Sequence, residues 1–295
     1  MSWRQIAKEI DKPKSTVSDY LREFFRRKPE GVIKPKILLF DIETAPELYY
    51  GFGRYKQNIQ EDFVVRSNYL LSFCAKWLGE DGIASYALPY YEERYKADPY
   101  DDSELASDLH ALLSEADIVI AHNLAGFDWK VANTRFLVAG LDPISPTKLV
   151  DTLKIAKSQF KFPTNRLDTI ARYLGVGQKL PHSGASLWRG CMEGDDLSWK
   201  QMVDYNTVDV EVLEEVYLKL RAFDKRHPNV AVFYPDAIRR CVCCGSHKVE
   251  LTDKKAYTNV SEFDVYQCQE CGKHMRDRVN TFDKEKRQSL MMNPL

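Results

Sequence analysis

The chain has 295 residues, with 42 Lys/Arg against 43 Asp/Glu and a formal net charge of −1, a length that holds one substantial domain with one or two small appendages. No run of about 18 apolar residues occurs, which excludes a membrane-spanning helix, and the opening "MSWRQIAKEIDK" is charged at once, which excludes a readable signal peptide. Of seven cysteines, four form two Cys-x-x-Cys pairs, which points to metal binding in a reducing compartment rather than to a disulfide framework. The expected location is the cytoplasm, in a prokaryote or a phage-infected host cell.

Charge is unevenly spread. Residues 1–36 carry ten Lys/Arg against five Asp/Glu, residues 37–235 carry 21 against 29, and residues 236–295 carry 11 against nine. Basic ends suit a polyanion and an acidic middle suits cations. Residues 1–35 read as a helix-turn-helix-like DNA-binding segment. Ser2 with Gln5 makes a capping box, Ser15 can cap a second helix, and Ile6, Ala7, Ile10, Val17 and Leu21 fall where two such helices pack. Asp11 stands where the turn usually has Gly, and Pro13 lies in the connection. On this reading Lys12, Lys14, Ser15, Thr16, Ser18 and Asp19 face the major groove, with Arg22, Arg26 and Arg27 near phosphates. The alternative is an amphipathic helical hairpin without DNA contact.

The middle, residues 36–230, begins with three strand-like runs, "KILLFDIET", "NYLLSFCAKWLG" and "GIASYALP". In the first, four apolar residues run into Asp41, and Glu43 comes two positions on. Alternate residues of a strand share a face, so the two acids point the same way about 6 to 7 Å apart, and like charges that close call for a cation between them or open water. A Tyr-rich loop, "PYYEERYKADPYDD", leads to a helix near residues 103–114. "ADIVIAHN" is a buried strand, "GFDWKVANTRFLVAG" a helix closed by Gly140 with Asp128 at its start, and "KLVDTL" another strand. Helices occupy the stretch from Asn165 to about Phe223. Strands first and then alternating elements predict an α/β fold with a mixed sheet flanked by helices. In the last helix Tyr205 and Asp209 are four apart and share a face, while Val208, Val212, Leu213 and Val216 seat it on the core.

The order D-x-E, then N-x-x-x-F-D, then Y-x-x-x-D resembles the DEDD superfamily of 3′-to-5′ exonucleases on the ribonuclease H-like fold. The Tyr-bearing subclass fits, because Tyr205 stands four before Asp209, whereas the His-bearing subclass would want His at position 204, which is Asp. The resemblance covers roughly Lys36 to Phe223, and "VDTL" is similar to the proofreading exonucleases of family B DNA polymerases. It implies a metal-dependent 3′-to-5′ exonuclease acting on DNA with two Mg2+ or Mn2+ ions. Asp41 would bridge both ions, Glu43 and Asp209 would complete the tighter site, and Asp128 would serve the second largely through water. Carboxylates suit such hard ions, and a pair of them can stabilise both the attacking and the leaving oxygen. Tyr205 would orient the attacking water. Two other readings remain: a site- or structure-directed endonuclease on the same fold, and a sequence-specific DNA-binding protein with a silent nuclease core.

Residues 236–295 hold "CVCCG" and "CQECG", with 23 residues between Cys244 and Cys268. Cys241, Cys244, Cys268 and Cys271 offer four thiolates for one structural tetrahedral Zn2+, and the strand-like "KKAYTNV" and "DVYQC" between and within the pairs suit a zinc ribbon. Cys243 is an alternative ligand. Lys254, Lys255, Arg276 and Arg278 could let the ribbon grip nucleic acid, or it could dock a protein. The expected partners are single- or double-stranded DNA and a replication or repair protein, with no membrane.

Overall fold

The computed structural model describes residues 34–53, 55–145, 147–178, 180 and 184–293. The helix-turn-helix expectation, with Lys12, Lys14, Ser15, Thr16, Ser18, Arg22, Arg26 and Arg27, lies outside the described residues.

Five strands build the main sheet: β1 (Ile37–Thr44), β4 (Leu70–Trp77), β5 (Ala84–Ala87), β6 (Ile118–Ala121) and β7 (Lys148–Asp151). Their order is β5-β4-β1-β6-β7, antiparallel across β5, β4 and β1 and parallel across β1, β6 and β7. This is the α/β mixed sheet predicted from the element order. Between β1 and β4 the short strands β2 (Leu48–Tyr49) and β3 (Val64–Arg66) pair as a separate antiparallel ribbon.

The pleat of β1 divides the core. Leu38, Phe40 and Ile42 join a cluster on one face with Leu105, Leu109 and Phe136 of α2 (Ser103–Glu115) and α3 (Asp128–Val138). Ile37 and Leu39 join the opposite cluster with Ile155 of α4 (Thr152–Gln159), Ile170 of α5 (Leu167–Leu174) and Leu213 of α7 (Asp196–Leu220). The long α7 serves both layers: Trp199 and Met202 belong to the first cluster, Val210 to Leu220 to the second. The shorter α6 (Ala185–Met192) precedes it and contributes Leu187 and Cys191 to the first.

Two local expectations need correction. The Tyr-rich stretch is not a loop throughout, since it contains the six-residue helix α1 (Glu92–Ala97). The strand expected over "KLVDTL" stops at Asp151, whose carboxylate accepts from Leu153 N (3.0 Å) and Lys154 N (3.3 Å) and so caps α4.

The last segment forms a three-stranded antiparallel sheet, order β10-β9-β8, from β8 (Val249–Thr258), β9 (Ser261–Cys268) and β10 (His274–Arg276), with α8 (Lys284–Ser289) after it. It rests on the far end of α7. Val230 is buried in the second cluster and donates its amide to Val242 O at 2.8 Å, while Lys273 Nζ donates to Asp224 O at 2.6 Å. No helix among the described residues is long and apolar enough to cross a membrane.

Candidate active site and metal centre

Asp41 and Glu43 fall on the pleat face that Ile37 and Leu39 occupy, the face over which α7 lies. Asp41 is paired in register with Cys74 of β4. Parallel pairing with β6 covers only Ile37 to Leu39, so the acid-bearing end of β1 runs on past β6. The two acids therefore stand at the carboxyl end of parallel strands, where α/β sheets hold ligands.

From above, α7 delivers Tyr205, Asn206 and Asp209, all buried. The helix is tied down beside them. Thr207 Oγ1 lies 3.0 Å from Ser85 Oγ and 3.5 Å from Cys74 Sγ, and the partly buried pair Lys76–Glu214 closes at 2.6 Å. These links set the register of α7 over β4 and β5, and hence the height of Asp209 over Asp41. Carboxylate oxygens of Asp41, Glu43 and Asp209 all lie within 4.8 Å of one another, close enough to share one cation. The ring of Tyr205, a turn away on the same face as Asp209, meets Trp188 of α6 edge-on at 6.3 Å.

Asp128 opens α3, as expected, and is buried, though it stands outside the tight group of three. Burial first, and then the charge of Asp41, push its carboxyl well above the usual carboxylate range, with backbone amides including that of Ile42 opposing this. Its Oδ2 has no hydrogen-bond partner among the described residues. An acid that is buried, proton-hungry and partly orphaned beside a second acid is a cost to folding, and a divalent cation at this place would relieve it. The donor set therefore fits hard divalent ions.

The turn at Gly126 that brings Asp128 here is held by Asn123 and Asp151, motif residues whose structural roles the spacing did not reveal. Asn123 adopts a left-handed backbone (φ 75°), and Asp151 accepts from the amides of Asn123 (3.1 Å) and Ala125 (3.2 Å), tying the β6–α3 turn to the end of β7. At Gly126 a Cβ would come within 2.4 Å of Asn123 Oδ1, so a larger residue would force the Asn123 side chain to move. "HNLAGFD" and "VDTL" are thus two halves of one joint. Asn206 was missed too: its Nδ2 donates to Asp41 Oδ2 at 2.7 Å.

At the other end, sulfurs of Cys241, Cys244, Cys268 and Cys271 gather within 4.8 Å of one another. The Cys241–Cys271 and Cys244–Cys268 separations are both 3.6 Å, against roughly 3.8 Å for the edge of a tetrahedron with 2.3 Å Zn–S bonds. The two knuckles repeat one backbone pattern. Gly245 N donates to Cys241 O and Gly272 N to Cys268 O, each at 3.0 Å, and both glycines have φ near +75°. Cys243 is buried beside them but is not among the four, and its amide donates to Cys241 Sγ at 3.4 Å. The arrangement is compatible with a zinc ribbon. Some of its basic groups are ion-paired, Lys255 with Asp264, Arg239 with Asp277 and Lys248 with Glu270.

A family model described as RNase_H superfamily matches residues 68–221, just over half of the sequence. The chain belongs to the RNase_H superfamily. The main sheet and its helices are accordingly the ribonuclease H-like fold, and the matched span contains Asp128, Tyr205 and Asp209 while starting after β1. Among solved structures, the chain is similar to the family B DNA polymerase from the hyperthermophilic archaeon Pyrobaculum calidifontis, at 14% identity and a TM-score of 0.47, over 64% of this chain and 25% of that one. This RNase_H-superfamily chain thus spans about a quarter of that polymerase's length. No curated protein matches it.

Proposed function

We propose that the protein is a Tyr-bearing DEDD-type 3′-to-5′ exonuclease that hydrolyses DNA with two divalent ions. Residues 36–230 form the catalytic domain, residues 1–35 hold DNA, and residues 236–295 form a ribbon around one structural Zn2+. The observation that carries the reading is the meeting of Asp41, Glu43 and Asp209, from β1 and α7, within 4.8 Å, with Asp128 buried beside Asp41. Three carboxylates this close repel one another, and a cation between them would offset that cost.

Asp41, Glu43 and Asp209 would hold one ion, and Asp41 with Asp128 the second. When bound, Mg2+ or Mn2+ supplies the positive charge that offsets the charge building on the phosphoryl group and makes water a better nucleophile at neutral pH. The protein's own part is positional. Asp41 and Glu43 are fixed by the strand, Asp209 by a helix tied to β4 and β5, and Tyr205 offers a hydroxyl to hold the attacking water in line. Trp188 backs the Tyr205 ring and limits where that hydroxyl can point. A neutral phenol is a poor general base, so the role assigned to Tyr205 is orientation.

The test is degradation of 3′-labelled and 5′-labelled DNA, single- and double-stranded, with Mg2+, Mn2+ or chelator. Mononucleotides should leave from the 3′ end, and chelator should stop the reaction. Cleavage of circular single strands would instead establish endonuclease action.

A further inference from the structure

Asn206 sits at a core-facing position of α7, fully buried, with Met202, Val210 and Leu213 buried on neighbouring turns. An apolar side chain would satisfy packing at such a place. An amide brings two donor hydrogens and a carbonyl oxygen, all of which must find partners. Here Nδ2 donates to Asp41 Oδ2 at 2.7 Å and approaches Asp41 O at 3.3 Å. The other end, Oδ1, is buried with no hydrogen-bond partner among the described residues. An orphaned buried acceptor destabilises a fold, so neither packing nor stability accounts for an asparagine at this position.

The contact with Asp41 does account for it. Both Asp41 atoms are acceptors, so the amide must turn its NH2 toward them. An NH2 donates without adding charge, whereas Lys or Arg in its place would neutralise the carboxylate and compete with a cation for it. Glu43 and Asp209 press like charge on Asp41, which favours rotating its carboxylate away. We propose that Asn206 is a positioning residue for the metal site: it clamps the side chain and the main chain of Asp41 together and holds the carboxylate toward Glu43 and Asp209 before any ion arrives. This rests on the metal-dependent reading above.

The experiment is Mn2+ binding to the full chain, monitored by the spin-resonance signal of the free ion, for wild type, Asn206→Leu and Asn206→Ala. Leucine fills the site without a donor; alanine covers the case in which leucine overpacks it. Both folded variants should bind Mn2+ at least tenfold more weakly, and the Mg2+ concentration for half-maximal hydrolysis should rise at least tenfold while the rate at saturating Mg2+ changes far less. In chelator, Asn206→Leu should melt no lower than wild type, which a purely structural role would not allow. A folded variant that binds Mn2+ with wild-type affinity overturns the proposal. Wild-type protein that binds Mn2+ but cuts no nucleic acid defeats the functional reading and leaves the clamp standing; wild type that binds no Mn2+ overturns both.

Discussion

On the proposed reading, Asp128 sets function against stability at a single position. Its carboxyl is buried, and burial and then the charge of Asp41 push its pKa well above the usual carboxylate range. Asp128→Asn removes the ionisable group and keeps the shape. In chelator at neutral pH this variant should melt higher than wild type in a thermal scan, and Mg2+ should close the gap by stabilising only the wild type. Hydrolysis should fall by at least 100-fold. Tyr205→Phe should retain partial activity under the same assay, because it loses an orienting hydroxyl and no ligand. At this scale the sequence was most legible where charge interrupts an apolar run. Asp41, Glu43 and Asp209 were readable as candidate ligands only when the spaced motifs were taken together, since each acid alone suits an ordinary polar surface. Asn206 and Asp151 were not, since a lone polar residue next to a motif shows its role only through partners 165 and 26 to 28 residues away.

Among the elements, those with a long hydrophobic period were legible: β1, β4, α2, α3 and the Asp209-bearing helix all appear where the pattern put them. The misses, α1 and α4, have six and eight residues, too short for a 3.6-residue period to declare itself. The segment beyond α7 was also opaque. His227 lies 2.9 Å from Tyr217 Oη, and its Nδ1 lies 2.8 Å from Pro228 O; with a carbonyl there, Nδ1 is the donor. Burial lowers its pKa below the ordinary 6.5. Because the folded state disfavours the charged ring, this residue's contribution to stability is present above about pH 6.5 and is lost as pH falls through the lowered value. Urea midpoints measured from pH 8 to 5 should therefore drop, and His227→Gln should flatten that drop. An unchanged pH profile in the variant would show that other groups control it.

In the whole molecule the ribbon is a buttress as much as an appendage. Its backbone and Lys273 bond to the segment just beyond α7, and Tyr217 of α7 is completely buried beneath this junction. The sequence announced the four cysteines but not this docking, because main-chain hydrogen bonds leave no residue pattern. Elemental analysis of purified protein should find one zinc per chain in addition to exchangeable Mg2+ or Mn2+. Stripping that zinc should unfold the ribbon before the main sheet, seen as early amide exchange in β8 and β9. Because the ribbon braces the end of α7, exchange should also quicken in the last turns of that helix, while its Tyr205–Asp209 stretch, held by Thr207 and Glu214, stays protected.

The central claim is that the acids converging on the tip of β1 form a hydrolytic metal site. Asp41→Ala tests it most directly, because Asp41 adjoins the other members in turn: Glu43 and Asp209 within the tight group, Asp128 through its charge, and Asn206 through a hydrogen bond. The measurement is hydrolysis of 3′-labelled single-stranded DNA in Mg2+ by folded Asp41→Ala protein, alongside its affinity for the same strand. Hydrolysis should disappear while DNA binding survives. Wild-type hydrolysis by this variant would contradict the assignment of the site.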